Sequence, residues 1–223
     1  MVRQVAKSPQ LHNPITHGCV LYLPLWHNEL AGSPFSSCDD FRHVCTVTGA
    51  LVGSNGRIFD GTDDKITIPD TASLNPVNAL TLEAWIYHNA SALEGFLGKR
   101  IEGSDDAYQF FVNADDTVQF SFFVGNIQKK VDSAATISNT TWTHIVGTYD
   151  KVKIRVYIDG VIDVNTTNLT GSIDITTDSV SIGWAYSNTY AWNGLIGEAR
   201  IYNRALSAGE ITDLFNQTKW RYL

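Results

Sequence analysis

Retaining glycoside cleavage needs two carboxylates about 5–5.5 Å apart across one bond, so the glutamates come first. On a strand, acids in a Glu-x-Asp-x-Glu or Glu-x-Asp-x-x-Glu run would supply them from one face, since side chains alternate with a period of two. No Glu here completes such a run. Glu83 is followed by Ala-Trp-Ile-Tyr, Glu94 by Gly-Phe-Leu, Glu102 by Gly-Ser-Asp-Asp and Glu198 by Ala-Arg-Ile. No His/Tyr/Arg group suited to lyase chemistry stands out, and the elbow that exposes a nucleophilic Ser is missing. A Ser/His/Asp triad assembles from distant positions and is not excluded by spacing. The expectation is a protein without catalytic residues.

Two other groups could bind without reacting. The turn Asp60-Gly61-Thr62-Asp63-Asp64 offers hard oxygen donors of the kind calcium takes. The same aspartates also read as turn formers whose carboxylates accept local backbone N–H groups. The second group is aromatic. Between Ser179 and Leu206, a run with alternating Val180, Ile182 and Trp184 enters a polar loop holding Tyr186, Asn188, Tyr190 and Trp192. A second alternating run, Leu195 to Tyr202, follows, and the two read as a closing hairpin. Loops at the rim of a sandwich vary without disturbing its core, which makes Trp184, Tyr186, Asn188 and Tyr190 the candidate ligand-binding residues. The alternative is that the tyrosines fold back over the sandwich edge.

The three cysteines, Cys19, Cys38 and Cys45, lie in the first fifth of the chain. They read as small buried apolar groups, with a Cys38–Cys45 bridge across their common loop as the alternative. His43 lies between them, but the C-x₂-C spacing of zinc sites is absent.

The elements that must hold these groups are short strands. They are expected at Gly18–Leu25, Cys45–Leu51, Arg57–Phe59, Lys65–Pro69, Leu80–His88, Gly95–Arg100, Tyr108–Asn113 and Thr117–Gly125. Ile127–Ser133, Trp142–Tyr149, Lys153–Asp159 and Val161–Thr166 continue the series, with turns at Asn113–Asp116, Asp159-Gly160 and Thr170-Gly171. Ser207-Ala-Gly-Glu210 is a capping box, with Leu206 and Ile211 as its hydrophobic staple, and predicts one helix from about Ser207 to Gln217. Trp85 and Trp142 read as core residues. Phe110, Phe111, Phe120, Phe122 and Phe123 cannot share a face. One set fills the core, and the other either offers a platform to a sugar ring or lies under the 26–42 loop, the covered arrangement being preferred. The fold class is therefore all-β: an antiparallel two-sheet β-sandwich, or jelly roll, with one short C-terminal helix.

Four stretches in order carry a family resemblance: GCVLYLPLW, FDGTDDKITIPDTASLNP, LTLEAWIY with TWTHIVGTYDKVKIRVYIDG, and GLIGEARIYNRALSAGEI. Together they resemble laminin G-like domains of the concanavalin A-like lectin and glucanase superfamily. The resemblance covers about Gly18 to Phe215, giving a 1–17 arm and an 18–223 domain. It implies a non-catalytic glycan-binding module, with Trp192 packed structurally. It also implies a calcium ion bridging the 60–64 turn to the start of the last strand, through Asp60, Gly61, Asp63, Gly197 and Glu198. The family's Asp-Glu pair reads Gly197-Glu198 here, which leaves that calcium open. The alternative function is a structural or adhesive domain decorating a virion or filament, with a protein partner; a polysaccharide hydrolase or lyase comes third.

Composition agrees with one domain. The 223 residues are 43% hydrophobic and 17% charged, with 17 glycines for the turns. A net charge of −7 excludes the basic patch that nucleic acid requires. No run of 18 apolar residues is available for membrane insertion. The first 18 residues lack the apolar region of a secretory signal, although a lectin-like module implies an extracellular, surface or virion-associated setting.

Overall fold

The computed structural model describes residues 13–99, 107–184 and 190–223. The alternating segments form β1 (Cys19–Pro24), β2 (Phe35–Ser36), β3 (Val44–Thr48), β4 (Leu51–Val52), β5 (Arg57–Asp60) and β6 (Lys65–Ile68). Longer strands follow: β7 (Leu80–His88), β8 (Glu94–Lys99), β9 (Tyr108–Val112), β10 (Thr117–Val124) and β11 (Ile127–Thr136). The last are β12 (Trp142–Tyr149), β13 (Lys153–Ile158), β14 (Val161–Asn168), β15 (Val180–Ile182) and β16 (Asn193–Tyr202), before helix α1 (Ala208–Thr218).

Two antiparallel sheets pack face to face. The first has the order β14-β13-β12-β7-β16-β5-β4, with β1 beside the second half of β16. The second runs β11-β10-β9-β8-β15-β6-β3-β2. Between them, Leu82, Ala84 and Ile86 of β7 meet the inward rings of Phe96, Phe110, Phe120 and Phe122. These rings stack in series, with centroids 5.1 Å apart for Phe96–Phe110 and for Phe110–Phe120. Gly147 of β12 lies against this stack, and a Cβ there would sit 2.5 Å from the Phe120 ring. Trp85 and Trp192 are both fully buried, whereas Trp142 is half-buried.

Helix α1 forms where the capping box predicts it. The Ser207 hydroxyl accepts from the Glu210 N–H at 3.3 Å, and the Glu210 carboxylate accepts from the Ser207 N–H at 2.8 Å. Ile211 and Leu214 bury against Tyr22, Val146, Tyr157 and Tyr202, so the helix covers the outer face of the first sheet. Among the described residues, no helix is long and apolar enough to cross a membrane.

Two expectations need correction. The stretch Ser179–Leu206 is not a hairpin: β15 pairs β6 and β8 in one sheet, while β16 pairs β1, β5 and β7 in the other. Alternation fixes which face a side chain takes, not which strand lies alongside. The 26–42 loop does not cover Phe111 or Phe123. It is tied to β1 and β5 instead, through Cys38 N–H on the Tyr22 carbonyl (2.8 Å) and Arg57 on the Gly32 carbonyl (2.9 Å). The described end of the expected 1–17 arm packs on the domain: Ile15 joins the α1 cluster and Asn13 accepts from Arg200 at 3.3 Å. Its first 12 residues lie outside the described residues.

Candidate functional site

The rim loop after β15 is pinched at its base. Gly183 N–H bonds the Phe96 carbonyl and Trp192 N–H bonds the Gly183 carbonyl, both at 2.9 Å, and Trp184 bridges Ala191. Gly183 has φ +81, and a Cβ there would lie 2.2 Å from the Phe59 ring, so only glycine fits this crossing. Trp192 stacks on His88 at 5.0 Å and anchors the far side of the pinch.

The structure separates the rim aromatics. Trp184 is half-buried and leans toward β6, where the Lys65 ammonium lies 4.1 Å from its ring. Tyr190 leans the other way and meets Phe111 of β9 edge-on at 6.0 Å. Tyr186 and Asn188 lie outside the described residues.

Tyr190 and Phe111 form one wall of a groove of about 300 Å³ on the outer face of the second sheet. The rest of its lining is Leu93 and four amides, Gln109, Asn113, Gln119 and Gln128. Pairing makes this set. Phe111 faces Gln119, Gln109 faces Ser121, and Phe123 faces Gln128, so alternate residues of three strands converge. Gln109 and Gln128 both donate to the Ser121 hydroxyl, at 3.0 and 3.2 Å, and Gln119 donates to Asp132 at 2.9 Å. Rotamers of the wall are thereby fixed before any ligand arrives.

Asn113 also borders a second depression of about 510 Å³, lined with Asp115, Thr117, Lys130 and Asp132. Lys130 pairs with Asp132 at 3.0 Å. Burial opposes the Asp132 charge, but bonds from Lys130, Gln119 and Asn113 hold its carboxyl below the usual range. The glutamines escaped the sequence reading because each is an ordinary polar residue on an alternating strand. The signal was there in the shared phase of Gln109, Phe111 and Asn113.

The acidic turn holds together, though with different members. Carboxylate oxygens of Asp60, Asp63 and Asp64 lie within 4.8 Å of one another. Asp64 accepts from Asp60 N–H at 3.0 Å, and Gly61 provides the turn at φ +76. Burial, with Asp60 and Asp63 nearby, raises the Asp64 carboxyl above its ordinary range. Three crowded carboxylates fit a hard cation, with Asp64 supplying the third. Gly197 and Glu198 do not join them. Asp60 pairs with Asn193, so Glu198 lies five positions along β16, roughly 17 Å at strand rise. Glu198 accepts instead from Trp26 Nε1 at 2.8 Å and pairs with Arg200. A Cβ at position 197 would lie 2.4 Å from the Tyr222 ring, so the tail takes the space that a larger residue would need.

Glu83 and Glu198 are on the covered face of the first sheet, 0% and 2% exposed. Arg200 donates to Glu83 at 2.8 Å and His144 lies 3.1 Å from it. Burial works against the Glu83 charge, but Arg200 and His144 lower its carboxyl. All three thiols are free.

Comparisons agree with this architecture. No curated protein matches the chain. The binding domain of Paraclostridial Mosquitocidal Protein 1 superposes with a TM-score of 0.72 at 14% identity, over 91% of this chain and 52% of that one. The binding domain of Botulinum Neurotoxin DC, in complex with SialylT, gives 0.69 at 14%, over 91% and 52%. This chain thus spans about half the length of those toxin domains. Domain 4 of AbnA, a GH43 extracellular arabinanase from Geobacillus stearothermophilus, in complex with arabinotriose, gives 0.65 at 20%, over 88% and 97%. At these identities the likeness establishes the fold. Residues 60–212, more than half of the chain, match the laminin G-type family described as the concanavalin A-like lectin/glucanases superfamily. The chain is a laminin G-like member of that superfamily.

Proposed function

We propose that this domain binds a carbohydrate without altering it, through the groove between Tyr190 and the glutamines of β9–β11. The observation that carries this is the pairing of an aromatic wall, Phe111 and Tyr190, with prearranged amides. Sugar rings present an apolar C–H face to an aromatic and hydroxyls to amides. The likeness to an arabinanase domain complexed with arabinotriose supports the same reading. Burial and ion pairing of Glu83 and Glu198 support binding without hydrolysis, because neither carboxylate reaches a ligand. Trp184 extends the rim toward β6, and Tyr186 and Asn188 of the same loop are proposed as further ligand contacts.

Glycan-array screening followed by calorimetry tests this. Tyr190→Ala should weaken binding by about 1–3 kcal/mol, by analogy with base stacking, and Gln119→Ala by about 0.5–1.5 kcal/mol through a lost hydrogen bond, both at nearly unchanged melting temperature. Normal binding by both variants would move the site elsewhere, and release of reducing ends would make the protein an enzyme. Calcium is part of the proposal as a staple of the 60–64 turn through Asp60, Asp63 and Asp64. A protein partner is the second reading, favoured by the exposed aliphatic run of Val161, Ile162 and Val164 on edge strand β14.

A further inference from the structure

We infer that the outer face of the first sheet carries a self-complementary docking surface whose occupant is a second copy of this chain. This surface is separate from the carbohydrate groove and holds whether or not a sugar binds there. It follows from register. Leu51 pairs with Ile58, Ile58 with Leu195, Leu195 with Tyr87 and Tyr87 with Trp142, so one residue from each of five neighbouring strands falls in a single row. Strand spacing makes that row about 19 Å long. Its side chains turn outward, because their chain neighbours Phe59, Ile196 and Ile86 are buried between the sheets. Leu51 is 66% exposed and Ile58 39%, while Leu195, Tyr87 and Trp142 are half-buried. A contiguous apolar row of this kind marks a contact surface, which scattered single residues do not.

Shape and charge name the occupant. Toward Glu198 the face is raised: Tyr222 lies over Gly197 and meets Trp142 at 4.7 Å, and the tail adds Trp220, 67% exposed. Toward Asp60 the next row belongs to the sheet itself, Asp60 beside Asn193, with Asp63 exposed in the adjoining turn. A two-fold axis along the row lays the raised side of each copy on the low side of the other. The same rotation brings Lys219 of the tail to Asp60 and Asp63 of the partner subunit. Arg200 serves both Glu83 and Glu198, and Arg221 lies 3.8 Å from Glu198, so those charges cancel within each copy. Lys219, whose ammonium donates to the neutral Asn216 at 2.8 Å, is then the surplus cation of the tail. The row is short for an obligate dimer, which makes the expected association weak and reversible. The groove on β9–β11 lies on the other sheet and stays open, so a dimer presents two of them.

The test is sedimentation equilibrium of the full chain in EDTA, which keeps the 60–64 turn free of metal, from micromolar to millimolar concentration. A monomer–dimer equilibrium with no larger species is expected. Leu51→Asp and Trp220→Ala alter sites largely exposed in the monomer, so the melting temperature should hold while each raises the dissociation constant about tenfold or more. Lys219→Glu should raise it about threefold, and adding Asp63→Lys to the same chain should restore it, because the exchanged charges face each other again across the axis. A monomer at every concentration overturns the inference. So does a dimer indifferent to Leu51→Asp and Trp220→Ala, which forms on another face. Species that grow beyond two copies overturn the two-fold arrangement. A doubly exchanged chain no tighter than Lys219→Glu alone overturns the direction of the axis. If removal of residues 1–12 is what first permits dimers, the row belongs to that segment and the inference fails.

Discussion

Glu210 joins the closing strand to the helix that covers it, and Glu210→Gln isolates its charge. The Arg204 guanidinium donates to both carboxylate oxygens, at 3.0 and 2.6 Å, while Ser207 N–H donates at 2.8 Å. Glutamine keeps the capping partner and loses the ionic one. The Arg204 hydrogen bonds chiefly, with those from Ser207, lower the carboxyl from 4.5 to about 2. Taken at face value, such a shift corresponds to about 3 kcal/mol. The side chain is 35% exposed, and solvent screening reduces the contribution to about 1–2 kcal/mol. For a domain of this size that is roughly 3–6 °C in melting temperature. Because the folded pKa is the lower one, the stabilisation is complete above about 4.5 and is lost as the pH falls toward about 2. Urea unfolding of both proteins at several pH values would measure it. Wild type and Glu210→Gln should differ near neutrality and converge in acid. Equal stability near neutrality, or a gap that persists at the lowest pH, would refute the electrostatic account.

Ser207→Ala keeps the Arg204–Glu210 pair, so it should cost about 1 kcal/mol with little pH dependence, read from the same urea curves. Glu83→Gln leaves Arg200 buried beside a neutral group and should cost about 3 kcal/mol; a loss within error would mean that Glu198 alone satisfies Arg200. Burial pushes the Cys19 and Cys45 thiols up to about 12 and Cys38 up to about 11. Since the thiolate is the nucleophile, an aromatic disulfide reagent near neutral pH should label the unfolded chain far faster than the native one, and equal rates would contradict that burial. Calcium should raise the melting temperature by mass action and EDTA should reverse it, with Asp63→Asn losing the response; a flat calorimetric titration would dispose of the site.

The strands were legible because alternation persists even where both faces are covered: β7 and β12, almost wholly buried, occupy the expected Leu80–His88 and Trp142–Tyr149. The helix was legible because its cap is local chemistry between Ser207 and Glu210. Pairing was not legible. The same alternation serves β15 and β16 whether they lie side by side or in opposite sheets, so the expected hairpin became a crossover. The misplacement of Glu198 has the same origin, since only the register of Asp60 with Asn193 shows how far it lies from the turn. Tyr190 was legible as an aromatic in a rim loop, but its polar partners were not. Gln109, Gln119 and Gln128 come from three strands, and only the ladder brings them to one groove.

The position of β16 bears on how the domain is made. It supplies the ladder partner of β1 and β5 and lies alongside β7, yet it is the last strand synthesised. As the chain leaves the ribosome, the edges of β1, β5 and β7 wait while everything from Asn89 to Trp192 is translated. Such unpaired edges are sticky, and long-range pairing of this kind is slow. The first sheet therefore closes only after β16 emerges, and until then its waiting edges are open to pairing with other chains.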